Sequence, residues 1–216
     1  MTTIIHIYEP SPTISEKLKS ERIRLTPARA MLIIMLADIC RFGEFASVFA
    51  AEKLIYFMQR LGAKDIFKID FKPYIYGPYS GGKVAHVLYN LNGSYIKGMT
   101  ALEARPFDFI WLTDDAEKEA IAYLNGNNDS GFLEICEKTK RLLRSFYSNY
   151  SLELLSTVDF ILHRLSPESA WKQEQRKTLE STVRAEMQKW STRKGQIFKP
   201  EFIRKAIDHL CLSDIS

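Results

Sequence analysis

Residues 53–98, KLIYFMQRLGAKDIFKIDFKPYIYGPYSGGKVAHVLYNLNGSYIKG, contain the pattern that decides the predicted fold. Amphipathic helices are predicted at both ends because apolar residues recur at helical spacing, at Leu54, Phe57, Met58 and Leu61 and again at Val84, Val87, Leu88 and Leu91. Between them, Tyr74–Tyr79 is predicted to be a turn, since Gly77 and Pro78 interrupt it. Tyrosines displayed on a turn between helices are typical of a contact surface.

The segment before this stretch predicts two further helices. Thr26 followed by Pro27 is a typical helix start, and it predicts a helix over 28–42. The next helix is predicted over 47–61, which overlaps the beginning of the deciding stretch. Apolar and polar residues then alternate over 66–71, which predicts a half-buried strand.

The segment after it predicts a small sheet and then only helices. Strands are predicted at 95–96 and 109–112, joined by a loop over 98–107. Asp114 and Glu117 have the spacing of a capping box, which predicts a helix up to Leu124. Helices are then predicted near 131–147, 151–165, 168–190 and 199–211.

This order of elements predicts a mostly helical α+β fold. The elements predicted over 25–124 follow the order helix, helix, strand, helix, strand, strand, helix, which is the order of a winged-helix-like core with a small β-sheet. Residues 129–216 would form a helical layer on this core. Residues 4–8 predict a short strand that two prolines separate from the rest. This strand could be an edge strand of the same domain or the tail of a preceding one. We interpret 1–24 as the residual strand and linker of a preceding domain, and 25–216 as the domain itself.

Composition limits the functional classes without choosing one. With 46% apolar and 26% charged residues, the 216-residue chain has ordinary globular values. The net charge of +4 is concentrated after residue 136, which permits an anionic partner but does not require one. Three widely separated cysteines without metal-ligand spacing predict buried, reduced thiols in a cytoplasmic protein. No signal peptide or membrane-spanning stretch is predicted.

Catalytic motifs are weak, and neither a cofactor nor a metal is predicted. The four histidines are scattered and no nucleophile elbow stands near them. Ser80-Gly81-Gly82-Lys83 resembles a phosphate loop but lacks its spacing, so the start of a helix is the better interpretation. A bound anion at that helix N-terminus is the alternative. The carboxylates over 114–119 fit the first turns of a helix, where they favour its dipole. The sequence therefore does not predict an enzyme.

A winged-helix-like order also raises the hypothesis of a DNA-binding regulator. The predicted recognition helix, near 81–92, offers only Lys83, His86, Tyr89 and Asn90 as polar groups. A helix that neutralised many phosphates would carry more lysine and arginine. Direct DNA binding is therefore not expected, although a regulator using Lys83, Tyr89 and the basic C-terminal helices remains an alternative.

The tyrosines favour a protein interface, with packing of the turn as the nearly equal alternative. Six of them fall within 40 residues, and Tyr56 and Phe57 are not expected both to face the interior. Tyrosine presents a large contact area at low entropic cost and is enriched in binding hot spots. The residues predicted to contact a partner are Tyr74, Tyr76, Tyr79, Lys83 and Tyr89, whereas Gly77 and Pro78 would shape the turn.

Several of these residues form motifs that resemble a known family. Lys53-Leu54-x-Tyr56-Phe57-x-Gln59-x-x-Gly62, Tyr76-Gly77-Pro78-Tyr79, His86-Val87-Leu88 and Gly93-x-Tyr95-Ile96-x-Gly98 resemble the C-terminal domain of DarG antitoxins. Trp190-x-x-Arg193-Lys194-x-x-x-Phe198-x-Pro200-x-x-Ile203 is similar to the closing segment of that domain. The segment 4–10 is similar to the last strand of the macrodomain that precedes it in DarG. The combination of motifs spans nearly the whole chain in order.

The resemblance implies a toxin-binding function. DarT toxins ADP-ribosylate single-stranded DNA with NAD, and DarG opposes them through a macrodomain that removes ADP-ribose and a C-terminal domain that binds DarT and occludes its DNA groove. The resemblance thus implies a DarT-type toxin as partner, by DNA mimicry, and no glycohydrolase activity here because the macrodomain is missing. SocA-like antitoxin or adaptor domains carry similar Tyr/Gly-Pro helices and remain an alternative.

Three features depart from the family pattern. Met99-Thr100 follows Gly98 in place of the usual Tyr-Gly continuation. Ser94 stands where the family often has histidine, so no role of that imidazole is transferred. A domain that occupies a DNA site is expected to be acidic, whereas this chain is net basic. The negative charge would be local, at Asp65 and Asp70 or over 114–119, or the contact would depend on aromatic stacking.

Overall fold

The computed structural model describes residues 22–99, 105–126, 130–165 and 176–213, and the described chain is mostly helical with small antiparallel sheets. The predicted strand at 4–8 lies outside the described residues, so the domain division at residue 24 stays a prediction. The helices are α1 Pro27–Arg41, α2 Val48–Met58, α3 Lys64–Phe67, α4 Lys83–Leu91, α5 Ala116–Gly126, α6 Ser130–Leu143, α7 Asn149–Leu165, α8 Arg176–Trp190, α9 Thr192–Ile197 and α10 Pro200–Leu212.

Helix α1 begins as its sequence predicts. The Thr26 hydroxyl accepts a hydrogen bond from the Arg29 backbone N–H at 3.4 Å, and Pro27 occupies the first helical turn. The apolar run Met31–Leu36 is fully buried on both flanks of the helix. Helix α1 therefore lies inside the core, with α2, α5 and α6 packed around it.

Helix α2 is the centre of the domain, and all eleven of its residues are buried. It packs against α1, α4, α6 and α7. The expectation that Tyr56 and Phe57 could not both face inward is wrong, because helices cover α2 on every side. The Tyr56 hydroxyl donates to the Asp159 carboxylate of α7 at 2.5 Å, which satisfies its buried polar group.

The predicted strand over 66–71 is wrong. The chain forms the short helix α3 there, and Lys68 ends it with a left-handed φ of 52°. Gln59 then clamps the backbone, since its side-chain amide donates to the Ile69 carbonyl at 2.8 Å and accepts from the Ile69 N–H at 2.9 Å. A side chain replaces a neighbouring strand as hydrogen-bond partner, so the apolar alternation does not mark a sheet.

Two small sheets complete the fold. Strands β1 Ala46–Ser47, β4 Ile96–Lys97 and β5 Phe109–Leu112 form an antiparallel sheet in the order β1-β5-β4, which confirms the two predicted strands after residue 94. Strands β2 Lys72–Tyr74 and β3 Gly77–Tyr79 form a separate hairpin. The turn predicted over Tyr74–Tyr79 is therefore the end of this hairpin, with only Ile75 and Tyr76 in the turn itself.

The C-terminal helices cover α2 from the opposite side. Helices α8 and α10 pack on α7, and α7 contacts both α2 and β3, so the helical layer reaches the hairpin. Cys136 is buried as predicted and Cys211 is half-buried, but Cys40 is exposed, because the last turn of α1 emerges from the core. Among the described residues no helix is long and apolar enough to cross a membrane.

Candidate protein-interaction site

The β2–β3 hairpin presents a stacked pair of tyrosines. The Tyr74 and Tyr79 rings lie 4.8 Å apart between centroids at an interplanar angle of 26°. Tyr74 is 53% exposed, whereas Tyr79 is half-buried beneath it. The hairpin brings the rings together because Tyr79 pairs with Lys72 and Gly77 pairs with Tyr74 across a two-residue turn. The result is a fixed aromatic surface at the edge of the domain.

Gly77 and Pro78, at the start of strand β3, are buried against α7 and α2. Gly77 has a φ of +98°, and a Cβ atom there would lie 3.2 Å from the hydroxyl oxygens of Ser156 and Thr157. Only glycine allows this left-handed backbone to approach α7 so closely. The Pro78 carbonyl accepts a hydrogen bond from the Lys53 ammonium at 2.6 Å. These contacts set the position of the tyrosines relative to the core.

Two buried charged residues of α2 hold the end of the hairpin. The Glu52 carboxylate accepts hydrogen bonds from the Ser80 N–H at 3.0 Å and the Ser80 hydroxyl at 2.7 Å. The Ser80 hydroxyl in turn accepts from the Val84 N–H, so it serves the start of α4 rather than a bound phosphate. Burial raises the pKa of Glu52, and the bonds to Ser80 oppose this shift.

Lys53 gives the stability of the domain a dependence on pH. Burial lowers the pKa of Lys53 to about 7; the Glu52 charge opposes this shift and the Lys194 charge adds to it. Between pH 7 and the ordinary lysine pKa the unfolded chain binds more protons than the folded one, so stability rises with pH in this range. The slope from this one group approaches about 1.4 kcal/mol per pH unit.

We therefore predict that Lys53→Met removes this part of the pH dependence. Urea unfolding between pH 7 and pH 10 should show the free energy of unfolding rising more steeply in the wild type than in the variant. Lys68→Met is the matched control, because Lys68 is exposed. Parallel profiles for the wild type and Lys53→Met would show that the Lys53 ammonium is not destabilised by burial.

The C-terminal layer holds the hairpin from the other side. The Trp190 indole N–H donates to the Tyr74 carbonyl at 2.9 Å. The Arg193 guanidinium lies 5.2 Å from the centre of the Tyr76 ring and donates to both Glu153 oxygens, at 2.7 and 3.2 Å. Lys194 is fully buried and donates to the same carboxylate at 2.6 Å. Both segments of the family resemblance therefore meet at the hairpin.

The structure brings three of the predicted contact residues together. Tyr74, Tyr79 and Lys83 line one open cavity of about 520 Å³, together with Asp70. A second cavity, of about 380 Å³, lies between the hairpin and α2 and is lined by residues that include Tyr76. Asp70 supplies one of the local carboxylates that the family resemblance called for.

The other two predicted contact residues, Tyr76 and Tyr89, do not line the cavity that contains Lys83, although Tyr76 shares the second cavity with Tyr74 and Tyr79. Tyr76 is half-buried, and its ring packs edge-on against Phe49 and Phe107, with centroid distances of 6.3 and 5.0 Å. Tyr89 lies on the exposed face of α4 and is 44% exposed. Tyr76 therefore joins the hairpin to the core, while Tyr89 is available to a partner from a neighbouring helix.

Sequence reasoning missed a second exposed aromatic group. Phe109 and Trp111 are exposed on strand β5, and Phe45, the residue before β1, is exposed beside Phe109. The predicted strand over 109–112 implied that alternate residues face opposite sides, and in the structure Ile110 is the buried one. Because all four residues of this strand are apolar, the sequence alone did not indicate which of them face solvent.

The described residues contain no cluster of side chains that could hold a metal ion. No group of three or more His, Cys, Asp or Glu side chains comes together among them. Of the histidines, His209 lies against the Leu142 carbonyl at 2.7 Å, and His86 lies on the exposed face of α4.

The amino-acid sequence of this chain is similar to part of a larger protein. It is 30% identical to a DNA ADP-ribosyl glycohydrolase of Thermus aquaticus over 187 residues, which is 87% of this chain and 47% of that protein. It is 27% identical over 165 residues to the proteins of that name from Mycobacterium bovis and Mycobacterium tuberculosis, covering 75% of this chain and 43% of theirs. The chain spans about half the length of the curated relatives it matches.

No family model matches the chain. The similarity to these curated proteins nevertheless shows that the chain is homologous to part of a DNA ADP-ribosyl glycohydrolase, which confirms its relation to the DarG family.

Proposed function

We propose that this chain is an antitoxin domain that binds a DarT-type DNA ADP-ribosyltransferase toxin and neutralises it by occluding its single-stranded DNA groove. The observation that carries the proposal is the homology to a segment that makes up about half the length of a DNA ADP-ribosyl glycohydrolase. A segment of this length is compatible with one of two domains. The motif residues quoted above support the C-terminal, toxin-binding half. The catalytic half would then lie in a macrodomain outside the matched segment.

The hairpin supports a partner-binding role because its exposed tyrosines are fixed before binding. Lys53, Trp190 and Arg193 hold its backbone and turn from two sides. A side chain that is already ordered loses little conformational entropy on association. An aromatic pair that is partly exposed and partly packed fits the description of an interface hot spot. We therefore propose Tyr74 and Tyr79 as the centre of the contact, with Lys83 at its edge.

Charge at this surface is mixed rather than acidic. Asp70 and the exposed Lys72 and Lys83 line the same cavity as the tyrosine pair. A groove that binds single-stranded DNA recognises bases by stacking as well as phosphates by charge. We propose that the tyrosine rings occupy base-stacking positions of the toxin and that Asp70 stands in for a phosphate.

The order of elements supports a winged-helix-like core over 25–124, with the β2–β3 hairpin inserted before α4. Helix α4 would then stand in the place of a recognition helix. Its exposed face presents Lys83, His86, Tyr89 and Asn90, of which Lys83 is the one permanent cation. Such a face is poorly suited to duplex DNA, which requires several phosphate contacts. The regulator alternative therefore has less support than the antitoxin.

The proposal is tested by titrating the chain into an assay in which a DarT-type toxin modifies a single-stranded oligonucleotide. We expect inhibition that is complete at about one chain per toxin. The same chain incubated with ADP-ribosylated DNA should release no ADP-ribose. Turnover of that substrate, or undiminished toxin activity at a large excess of the chain, would contradict the proposal.

A further inference from the structure

A row of exposed rings lies on the outer face of the three-stranded sheet and at the residue before its strand β1. We call it the aromatic strip: Phe45, Phe109 and Trp111. These side chains are 62%, 48% and 57% exposed. The Phe45 and Phe109 centroids lie 4.4 Å apart, and those of Phe109 and Trp111 lie 6.4 Å apart. Large apolar side chains rarely stand in a contiguous exposed group unless they bind something.

The strand register aligns the strip with a lysine. Phe109 and Trp111 face the same side of β5 because they are two residues apart, while Ile110 between them is buried. Lys97 pairs directly with Trp111 across β4 and β5, so its exposed side chain leaves the same face beside the indole. The sheet thus presents rings followed by a cation in one line.

The Trp111 ring is supported from beneath by a glycine. Gly98 has a φ of +103°, and a Cβ atom there would lie 2.5 Å from the Phe109 carbonyl oxygen and 2.9 Å from the Trp111 ring. Any side chain at this position would displace the indole, so Gly98 is required for the ring to lie on the backbone. One face of Trp111 is therefore fixed on the sheet while the residue stays open to solvent.

Exposed cations lie close to the strip in the chain. Lys97 is in β4, and Arg105 precedes β5 by four residues. Three residues before Phe45, the exposed Phe42 ring lies 5.9 Å from the Arg144 guanidinium. Two acidic residues, Glu44 and Asp108, are sequence neighbours of the rings. The Asp108 carboxylate accepts a hydrogen bond from the Arg105 backbone N–H.

We propose that the aromatic strip binds single-stranded nucleic acid. Unpaired bases would stack on Trp111 and Phe109, and Lys97 would contact a phosphate. Every base has a π-face, so rings on a sheet with cations beside them bind single strands with little sequence preference. A duplex would not fit, because its bases are already stacked and paired. This inference goes beyond the proposed toxin contact and concerns a different sheet from the tyrosine hairpin.

The test is fluorescence anisotropy with a labelled single-stranded DNA of about 12 nucleotides, a length suited to one such site, at about 50 mM salt. We expect saturable binding that weakens by about fivefold or more in Trp111→Ala and in Phe109→Ala. Trp111→Phe should keep most of the affinity, and Lys97→Ala should weaken binding and lessen its salt dependence. Leu212→Ala, at a residue that is 79% exposed elsewhere, should bind like the wild type.

Thermal unfolding of each variant separates loss of the strip from loss of the fold. Equal binding by the wild type and both ring variants would overturn the proposal, as would an absence of binding by the wild type. If the wild type ignores the oligonucleotide while Trp111→Ala loses capture of the toxin, the strip is a protein interface instead. The proposed antitoxin function is measured separately by toxin inhibition, so either idea can fail alone.

Discussion

Replacing both Tyr74 and Tyr79 by alanine should leave the protein folded and weaken its binding of a DarT-type toxin by about 30-fold or more. The expectation follows from the stacked rings at the proposed centre of the contact, where hot-spot side chains contribute about 2 kcal/mol or more. The backbone contacts that hold the hairpin involve the Tyr74 and Pro78 carbonyls, which the substitutions leave in place. Calorimetric titration of the toxin with each variant provides the measurement.

Two further variants make this result interpretable. Tyr150→Ala removes a ring that is 39% exposed in the C-terminal layer and should leave toxin binding unchanged. Tyr89→Ala tests whether the contact extends along α4, and a smaller loss than that of the double variant is expected there. If the Tyr74→Ala/Tyr79→Ala protein unfolds, or binds the toxin as tightly as the wild type, the hairpin tyrosines are not the interface.

The largest effect on stability is expected from Glu153→Gln. Glu153 is buried, and its carboxylate is the common partner of Arg193 and of the fully buried Lys194. Removing its charge leaves the Lys194 ammonium buried without compensation, which typically costs about 3–5 kcal/mol. Burial lowers the pKa of Lys194 even with Glu153 present, so the loss of that partner favours the neutral amine further.

Urea unfolding of Glu153→Gln measures this cost, and Glu180→Gln is its matched control. Glu180 makes the same chemical interaction with Arg204, whose side chain is 63% exposed, so its loss should cost far less stability than the loss of Glu153. Combining Glu153→Gln with Lys194→Met should recover much of the stability, because the uncompensated charge is then gone. Equal costs for the two single variants would show that the buried network does not hold the C-terminal layer to the hairpin.

Local signals in the sequence predicted the elements but not their contacts. Thr26 and Pro27 marked the start of α1, and the apolar spacing marked α2 and α4, because capping and helical periodicity act within a few residues. The strand predicted over 66–71 does not form, because the Ile69 backbone bonds to the side chain of Gln59. Alternation of apolar and polar residues does not indicate whether the backbone will bond to a neighbouring strand or to a side chain.

The candidate site depends on contacts that local reasoning could not reach. The tyrosine cluster was visible in the sequence, but its support comes from Trp190, which is 116 residues from Tyr74. The family motifs include Lys53, Gln59, Trp190 and Arg193, but the sequence does not reveal that all four lie at or near the hairpin. In the structure Lys53, Trp190 and Arg193 hold the hairpin, and Gln59 bonds to the segment before it, so these motif residues fix the position of the hairpin.

The most direct test of the antitoxin proposal is a competition between this chain and DNA for the toxin. A labelled single-stranded oligonucleotide is bound to a catalytically inactive DarT-type toxin, and the Trp111→Ala variant is added so that the aromatic strip cannot itself retain the DNA. We predict complete displacement of the oligonucleotide at about one chain per toxin, with no species containing all three components. A stable ternary complex, or full retention of the oligonucleotide by the toxin, would contradict occlusion of the DNA groove.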